Sequence, residues 1–272
     1  MTQLLVKLLL APSFVVGASL IARRHGPRIG GLVAGLPVVA GPILLAYALA
    51  HGSSFAAGAA AGTLLGLVSL IAFAVLYARL AERLHWLPCM LCGWLAFALC
   101  TAIFSALSIP DGVSLALAGA AIAGGLALIP RPAGGACQPA PPPRWDLPLR
   151  AACAVSLVLV LTAIAGWLGP QLSGLLAPFP IIATVLATFT HGQHGVEQMR
   201  RLVRGMVSGF AAFALFFFTL AVSLRALGNA GGFVLATSVA LLVQAAAFVL
   251  TRPRPAPRVL APAEPGLEAT LR

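Results

Sequence analysis

The chain has very few charged side chains. Only 8% of its 272 residues are charged, while 60% are hydrophobic. A soluble globular domain carries about 25% charged residues and about 45–50% apolar ones. Because so few polar groups cannot cover a water-exposed surface, the composition excludes a soluble enzyme, a disordered protein and a DNA-binding domain. The mean hydropathy of +1.02 agrees, and we expect most of the chain to lie in a lipid bilayer.

Acidic residues are the scarcest charged type, with six in the whole chain. All six fall in connectors, in a Pro-rich linker or in the C-terminal tail, so we expect no carboxylate inside a membrane span. That disfavours a carboxylate proton relay or a charged sodium site. The chain also lacks a P-loop, a Gly-rich nucleotide loop and a Ser-His-Asp set. We therefore predict no catalytic residue, no metal and no cofactor.

Nine apolar runs of about 18–25 residues are present instead. Each is long enough for an α-helix to cross a hydrocarbon core about 30 Å thick at 1.5 Å per residue. The runs are 3–22, 29–50, 54–78, 86–108, 112–129, 149–168, 172–190, 203–224 and 230–251. The first run has no small-residue cleavage site and is followed by its basic cluster, so we interpret it as a retained helix rather than a signal peptide.

Basic residues mark one side of the predicted spans. Nine spans create two alternating sets of connectors, and 15 of the 17 Lys and Arg residues fall in one set. Lys7 and Arg225 are the two exceptions. Cytoplasmic connectors are enriched in Lys and Arg. In the cell inner (plasma) membrane, the N-terminus is therefore predicted on the outer side and the C-terminus on the cytoplasmic side. The net charge of +11 thus reflects topology, and we predict no nucleic-acid partner.

An internal repeat divides the chain. Residues 26–40 (GPRIGGLVAGLPVVA) and 169–183 (GPQLSGLLAPFPIIA) are identical at seven of 15 positions, at an offset of 143. We predict an all-α integral membrane protein of about nine transmembrane helices, with two four-helix repeats at 1–109 and 149–251. A linking helix at 110–130 places the second repeat in the opposite orientation. In agreement, the loop after the first helix is basic in the first repeat, whereas the loop after the second helix is basic in the second repeat. Residues 131–148 are predicted to form a Pro-rich cytoplasmic linker, and 252–272 a disordered tail.

Proline interrupts the second helix of each repeat. Pro37 and Pro42 lie in the first, and Pro178 and Pro180 in the second. An interior Pro removes one hydrogen bond, and the freed carbonyl in a membrane needs a protein or water partner. Interrupted helices at corresponding places in inverted halves point to a transporter's binding site. The chain thus resembles secondary transporters built from inverted repeats, without their buried carboxylates. The alternative is a pair of kinked packing helices.

Polar residues near these breaks complete the predicted site. Thr184 and Thr188 follow Pro180 on one helical face, and two further pairs are related by the repeat offset. The predicted substrate-binding residues are Ser13, Pro37, Pro42, Thr101, Ser156, Pro180, Thr184, Thr188 and Gln244. Half-helix N-termini beside them favour an anion or an acceptor-rich neutral solute. His51 and His194, at equivalent helix ends, are candidate gating residues, with an interfacial role as the alternative.

Small residues and cysteines suggest further roles. Gly58, Gly62 and Gly66 form GxxxG steps that favour close helix packing, either within the chain or in a homodimer. Cys89 and Cys92 form a CxxC in the sequence PCMLC, which resembles the CxxC of quinone-linked disulfide-forming membrane proteins. The chain lacks the Arg that follows the motif in those proteins and a second outside Cys pair.

The sequence therefore predicts an inner-membrane transporter that is not an enzyme. Its cargo is a small polar or anionic solute, carried by alternating access between helices 2 and 7. Two alternatives stay open. One is a membrane thiol oxidoreductase that uses Cys89 and Cys92, and the other is a non-transporting scaffold or subunit. The predicted partners are the lipid bilayer and the solute.

Overall fold

The structure, a computed structural model, describes residues 2–107, 109–132, 143–160 and 179–251. These ranges are helical with short connections and contain no strand. The helices are α1 (Thr2–His25), α2 (Pro27–Ala34), α3 (Ala40–His51), α4 (Ser53–Leu80), α5 (Trp86–Ser105), α6 (Asp111–Leu128), α7 (146–160) and α8 (Ile181–Thr251). The second-repeat stretch 161–178, part of the predicted linker (133–142) and the predicted tail (252–272) lie outside the described residues.

Two glycines break α8 into three segments. Gly195 has φ 79° and ψ 178°, and Gly228 has φ 67° and ψ −176°. Residues with a Cβ atom rarely adopt this backbone conformation, whereas glycine adopts it without penalty. The segments cover residues 181–194, 196–227 and 229–251, so the breaks fall in the connectors predicted between the last three apolar runs. Gly52, which is 143 residues before Gly195, has a matching φ of 87° and ψ of 168°.

Several helices have the length and apolar character needed to cross a bilayer. In the described part of the chain, three helical stretches qualify: Ser53–Leu80, Trp86–Ser105 and Ile181–Val249. Shorter apolar helices cover Ala40–His51 and Gly112–Leu128. The all-helical architecture expected of a helical membrane protein is thus confirmed. The count of nine spans and the inversion of the second repeat stay predictions.

The outer face of α5 is apolar. Its large side chains at four-residue intervals are between 51% and 61% exposed, namely those of Leu91, Leu95, Leu99 and Ile103. Residues four apart lie on one face of a helix. A continuous exposed row of leucine and isoleucine side chains is unfavourable in water but is the normal surface of a helix that contacts lipid tails.

Helix α2 packs against the second segment of α8 at backbone contact distance. A Cβ atom added to Gly31 would overlap the Leu202 carbonyl oxygen, and one added to Gly205 would overlap the Arg28 carbonyl oxygen. Gly35 and Gly209 continue the contact one turn further along. Gly205 and Gly209, which form a GxxxG step in the second repeat, therefore allow close packing within the chain. In the first repeat, a Cβ on Gly58 or Gly62 would meet nothing within 4 Å.

The start of α7 contains a buried carboxylate that lies outside the predicted membrane spans. Hydropathy ended the Pro-rich linker at residue 148, whereas the chain is helical from Asp146 onward. Asp146 is 0% exposed, so the chain does contain a buried carboxylate. Hydropathy placed the boundary too late because the charged side chains of Asp146 and Arg150 lower the local hydropathy. In the structure these two residues form an ion pair at the start of α7.

Candidate functional site

The first predicted break lies where Pro37 indicated. Helix α2 ends at Ala34, and α3 begins at Ala40. Within the gap, the Leu36 N–H donates to the Val33 carbonyl at 3.0 Å, and the Pro37 carbonyl accepts from the Gly41 N–H at 2.8 Å. The first bond spans three residues and forms a tighter turn after α2, whereas the second spans four residues, as in a regular α-helix, and leads into α3. Pro42 lies in the first turn of α3, where its missing N–H costs no helical bond, and is exposed.

Gln244 reaches the end of the broken helix. Its Nε2 donates to the Leu32 carbonyl oxygen at 2.7 Å, across 212 residues of sequence. Leu32 lies in the last turn of α2, where carbonyls lose their helical partners. Because the amide nitrogen is committed to this bond, the amide oxygen Oε1 is left as an acceptor. That oxygen is buried and has no hydrogen-bond partner.

Thr101, the repeat partner of Gln244, has the same property. It lies in α5 with a side chain that is buried, and its Oγ1 has no hydrogen-bond partner. A buried polar atom without a partner costs about 1–3 kcal/mol. Native proteins keep few such groups, and each calls for a physical reason. Both members of this predicted site pair therefore present an unsatisfied polar atom in the protein interior.

Only the C-terminal side of the second predicted break lies within the described residues. The helix α8 begins at Ile181, directly after Pro180, and the Thr184 N–H donates to the Pro180 carbonyl at 2.8 Å. The Phe179 ring lies edge-on to Trp94 at 5.2 Å and to Phe97 at 5.7 Å. Pro178 and the residues before it lie outside the described residues. The start of this half-helix is thus held against α5.

Thr184 and Thr188 are both buried, and both hydroxyls have protein partners. The Trp94 Nε1 donates to the Thr184 Oγ1 at 3.0 Å, and the Thr188 Oγ1 donates to the Thr184 carbonyl at 2.8 Å. Trp94 was not among the predicted site residues. A tryptophan in the middle of an apolar run is a usable signal, because a buried indole N–H needs an acceptor.

The other predicted residues form none of these contacts. Ser13 on α1 and Ser156 on α7 are exposed. His51 is exposed and packs 4.9 Å from the Phe55 ring. His194 is half-buried and immediately precedes the kink at Gly195. Exposed serines on apolar helices do not contribute to a buried site in this conformation.

A buried ion network joins α1, α7 and the end of the first α8 segment. Asp146 accepts from Arg23 at 2.6 Å, from Arg150 at 2.8 Å and from the Gln193 amide at 2.7 Å. The Arg150 guanidinium lies 5.0 Å from the centre of the Phe189 ring. Burial raises the pKa of Asp146, but the hydrogen bonds from Arg150, Arg23 and Gln193 lower it by more than burial raises it. The pKa of Asp146 therefore lies below its ordinary value.

Most polar contacts between elements lie at the same end of the helices. Arg200 pairs with Glu82 and with Glu197, and Arg79 donates to the Leu128 carbonyl at 2.9 Å. The hydrogen bond from Arg200, followed by its charge, lowers the pKa of the exposed Glu82 carboxyl. Except for Leu128, which lies at the end of a predicted span, these residues belong to the set of connectors with 15 basic residues. At the other end, the Asn229 amide donates to the Ala48 carbonyl at 3.3 Å.

The cysteines of the CxxC are not arranged as an accessible redox pair. Cys89 is buried, and its thiol donates to the Leu84 carbonyl at 3.5 Å. Cys92 is half-buried, and neither forms a disulfide. Among the described residues, no group of three or more His, Cys, Asp or Glu side chains is placed to hold a metal ion.

These features define a helical membrane protein with an interrupted helix, an unsatisfied amide oxygen of Gln244 beside that helix and an unsatisfied hydroxyl of Thr101 in α5. No protein-family model, no curated protein and no solved structure matches the chain. Its chemistry therefore has to be argued from its own residues.

Proposed function

We propose that this protein is an inner-membrane transporter of a small polar or anionic solute, and not an enzyme. The solute binds between the interrupted second helix, α2–α3, and the half-helix that begins at Ile181. Transport proceeds by alternating access, with the N-terminus outside and the C-terminus in the cytoplasm.

The observation that carries this proposal is the pair of unsatisfied atoms at Thr101 and Gln244. Gln244 touches the broken helix itself through Leu32, so its free oxygen belongs to the neighbourhood of the break. An amide oxygen accepts a hydrogen bond, whereas a threonine hydroxyl both donates and accepts. A solute that hydrogen-bonds to either atom recovers part of the free energy that the burial of that atom costs.

The half-helices favour a partly negative solute. Helices α3 and α8 begin at Ala40 and Ile181, directly after the two breaks. The N-terminus of a helix carries about half a positive elementary charge. Anions and acceptor-rich groups are stabilised there, and the effect is stronger away from bulk water.

Two structural matches support the inverted repeat on which alternating access depends. Gly52 and Gly195 have the same unusual backbone conformation at the predicted offset of 143. The connectors rich in Arg also meet at one end through shared contacts, as alternating connectors on one side of a membrane require. Rocking one repeat against the other then opens the site to each side in turn.

The enzyme alternative has less support. A reactive thiolate needs an exposed, electropositive environment, whereas the Cys89 thiol is buried and bonded to a backbone carbonyl. A variant with Cys89→Ser and Cys92→Ser separates the two functions, because a transporter retains its activity and a thiol oxidoreductase loses it. The scaffold alternative requires that no solute binds.

The test of the proposal is Thr101→Val in the full-length protein. A thermal-shift screen against metabolite pools first identifies a binding solute. Thr101→Val removes an unsatisfied buried hydroxyl and nearly keeps the side-chain shape, so the protein should be as stable as the wild type or more stable. Solute affinity should fall about five- to 150-fold, the equivalent of about 1–3 kcal/mol for the lost hydrogen bond.

Thr219→Val is the matched control. Its hydroxyl already donates to the Leu215 carbonyl at 2.7 Å, and we expect unchanged solute affinity. Wild-type affinity in Thr101→Val, or no pool that shifts the melting temperature of the wild type, would contradict the proposal.

A further inference from the structure

Three arginines from three different elements meet at the basic end of the helices. Arg204 in the second segment of α8 donates from Nη1 to the carbonyls of Leu126 and Ile129, at 2.7 and 2.6 Å. Its guanidinium therefore lies at the C-terminal end of α6, two residues before Arg131. The next residue along, Gly205, packs against the backbone of Arg28. These contacts place Arg28 and Arg131 each beside Arg204.

Among the described residues, no carboxylate forms an ion pair with this three-arginine cluster. In the described ranges, the ion pairs of the carboxylates go elsewhere: Asp146 pairs with Arg23 and Arg150, and Glu82 and Glu197 pair with Arg200. Arg28 and Arg131 are exposed, and Arg204 is half-buried. Three adjacent cations are unfavourable unless an anion binds between them.

Exposed tryptophans lie at the same end of the helices. Trp86, the first residue of α5, is 45% exposed and lies near Gly192, and Trp145, next to Asp146, is 56% exposed. Tryptophan side chains are enriched at the depth of the lipid headgroups, where one part of the ring is apolar and its N–H is polar. The three-arginine cluster is therefore near the level of the membrane interface.

We propose that Arg28, Arg131 and Arg204 bind the phosphate of an anionic phospholipid headgroup. A guanidinium presents two parallel N–H donors that match two phosphate oxygens. Basic pockets between transmembrane helices at the membrane surface are known to take anionic headgroups. Such a lipid also links α2, α6 and α8 at their ends. This site is separate from the helix breaks and does not depend on the proposed transport.

The experiment measures lipid binding to the full-length protein in neutral detergent by native mass spectrometry. The probes are phosphatidylglycerol, phosphatidylcholine and inorganic phosphate. We expect preferential binding of phosphatidylglycerol, and a loss of affinity of about fivefold for each of Arg28→Gln and Arg131→Gln. That factor corresponds to about 1 kcal/mol per basic residue near an anionic surface. Both side chains are exposed, and each substitution also removes repulsion within the cluster, so the melting temperature without lipid should not fall.

Arg225→Gln is the matched control, since Arg225 is also exposed but belongs to the opposite set of connectors. It should bind phosphatidylglycerol like the wild type. Equal binding of phosphatidylcholine would overturn the proposal, as would wild-type affinity in both arginine variants. If millimolar inorganic phosphate displaces phosphatidylglycerol and binds as tightly, the ligand is a free anion and the lipid assignment is wrong.

Discussion

Asp146→Asn is expected to destabilise the protein by about 3–5 kcal/mol, the usual cost of removing one partner of a buried ion pair. The change keeps the side-chain shape but removes the charge that neutralises Arg150, which is 4% exposed. Arg23 and Gln193 lose their charged acceptor as well. The measurement is the free energy of unfolding of the purified protein in mixed micelles, followed against denaturant.

Glu197→Gln is the control for this prediction. Glu197 is also paired with an arginine, but its side chain is 43% exposed, and Arg200 keeps Glu82 as a partner. An exposed pair of this kind contributes about 0–1 kcal/mol. Equal losses in Asp146→Asn and Glu197→Gln would show that the burial of Asp146 has no energetic consequence.

The Asp146 network also predicts how stability depends on pH. The pKa of Asp146 is lower in the folded protein than its ordinary value of about 3.9. Its contribution is therefore fully present above that ordinary value and is lost as the pH falls through the folded-state pKa. The stability difference between the wild type and Asp146→Asn should be constant from pH 5 to 7, on the order of the value above, and shrink below about pH 4.

Gly205→Ala is expected to give the second large effect. A Cβ at this position would lie 2.9 Å from the Arg28 carbonyl carbon and closer still to its oxygen, and both are backbone atoms that no side-chain rotation can move. Overpacking of this kind costs about 1–3 kcal/mol, since α2 has to move away from α8. The melting temperature should fall, and α2 should become more accessible to proteolysis.

Gly62→Ala is the control at the equivalent position of the first repeat. It lies in α4, and its added Cβ would meet nothing within 4 Å. Because alanine favours a helix over glycine by up to about 1 kcal/mol in water, this variant should be neutral or slightly more stable. If Gly205→Ala behaved in the same way, the close contact of α2 with α8 would be wrong.

The sequence predicts features of this fold that depend on a single residue's backbone chemistry. The gap between α2 and α3 follows from Pro37, because proline has no N–H to donate to a regular helix. The breaks in α8 at Gly195 and Gly228 coincide with connectors between apolar runs. These effects are local, so periodicity and composition are sufficient to find them.

Contacts between distant residues were not predictable in the same way. Asp146 was assigned to a linker from its Pro-rich surroundings, whereas its partners Arg23 and Gln193 lie 123 and 47 residues away. The bond from Trp94 to Thr184 crosses 90 residues and does not follow the repeat offset. Ser13 and Ser156 were chosen by the repeat, but a match between two helices does not tell which face points inward. Only the packing decides that.

The central claim is that the two repeats have opposite orientations in the membrane. Ser54 and Glu197 occupy equivalent positions 143 residues apart, next to the two glycines of matching conformation. In a full-length background with all five cysteines replaced by Ser, we would introduce Ser54→Cys or Glu197→Cys and treat intact cells with a membrane-impermeant thiol reagent. The account predicts that Ser54→Cys reacts on intact cells and that Glu197→Cys reacts only after the membrane is permeabilised. Labelling of both positions from the same side would contradict it.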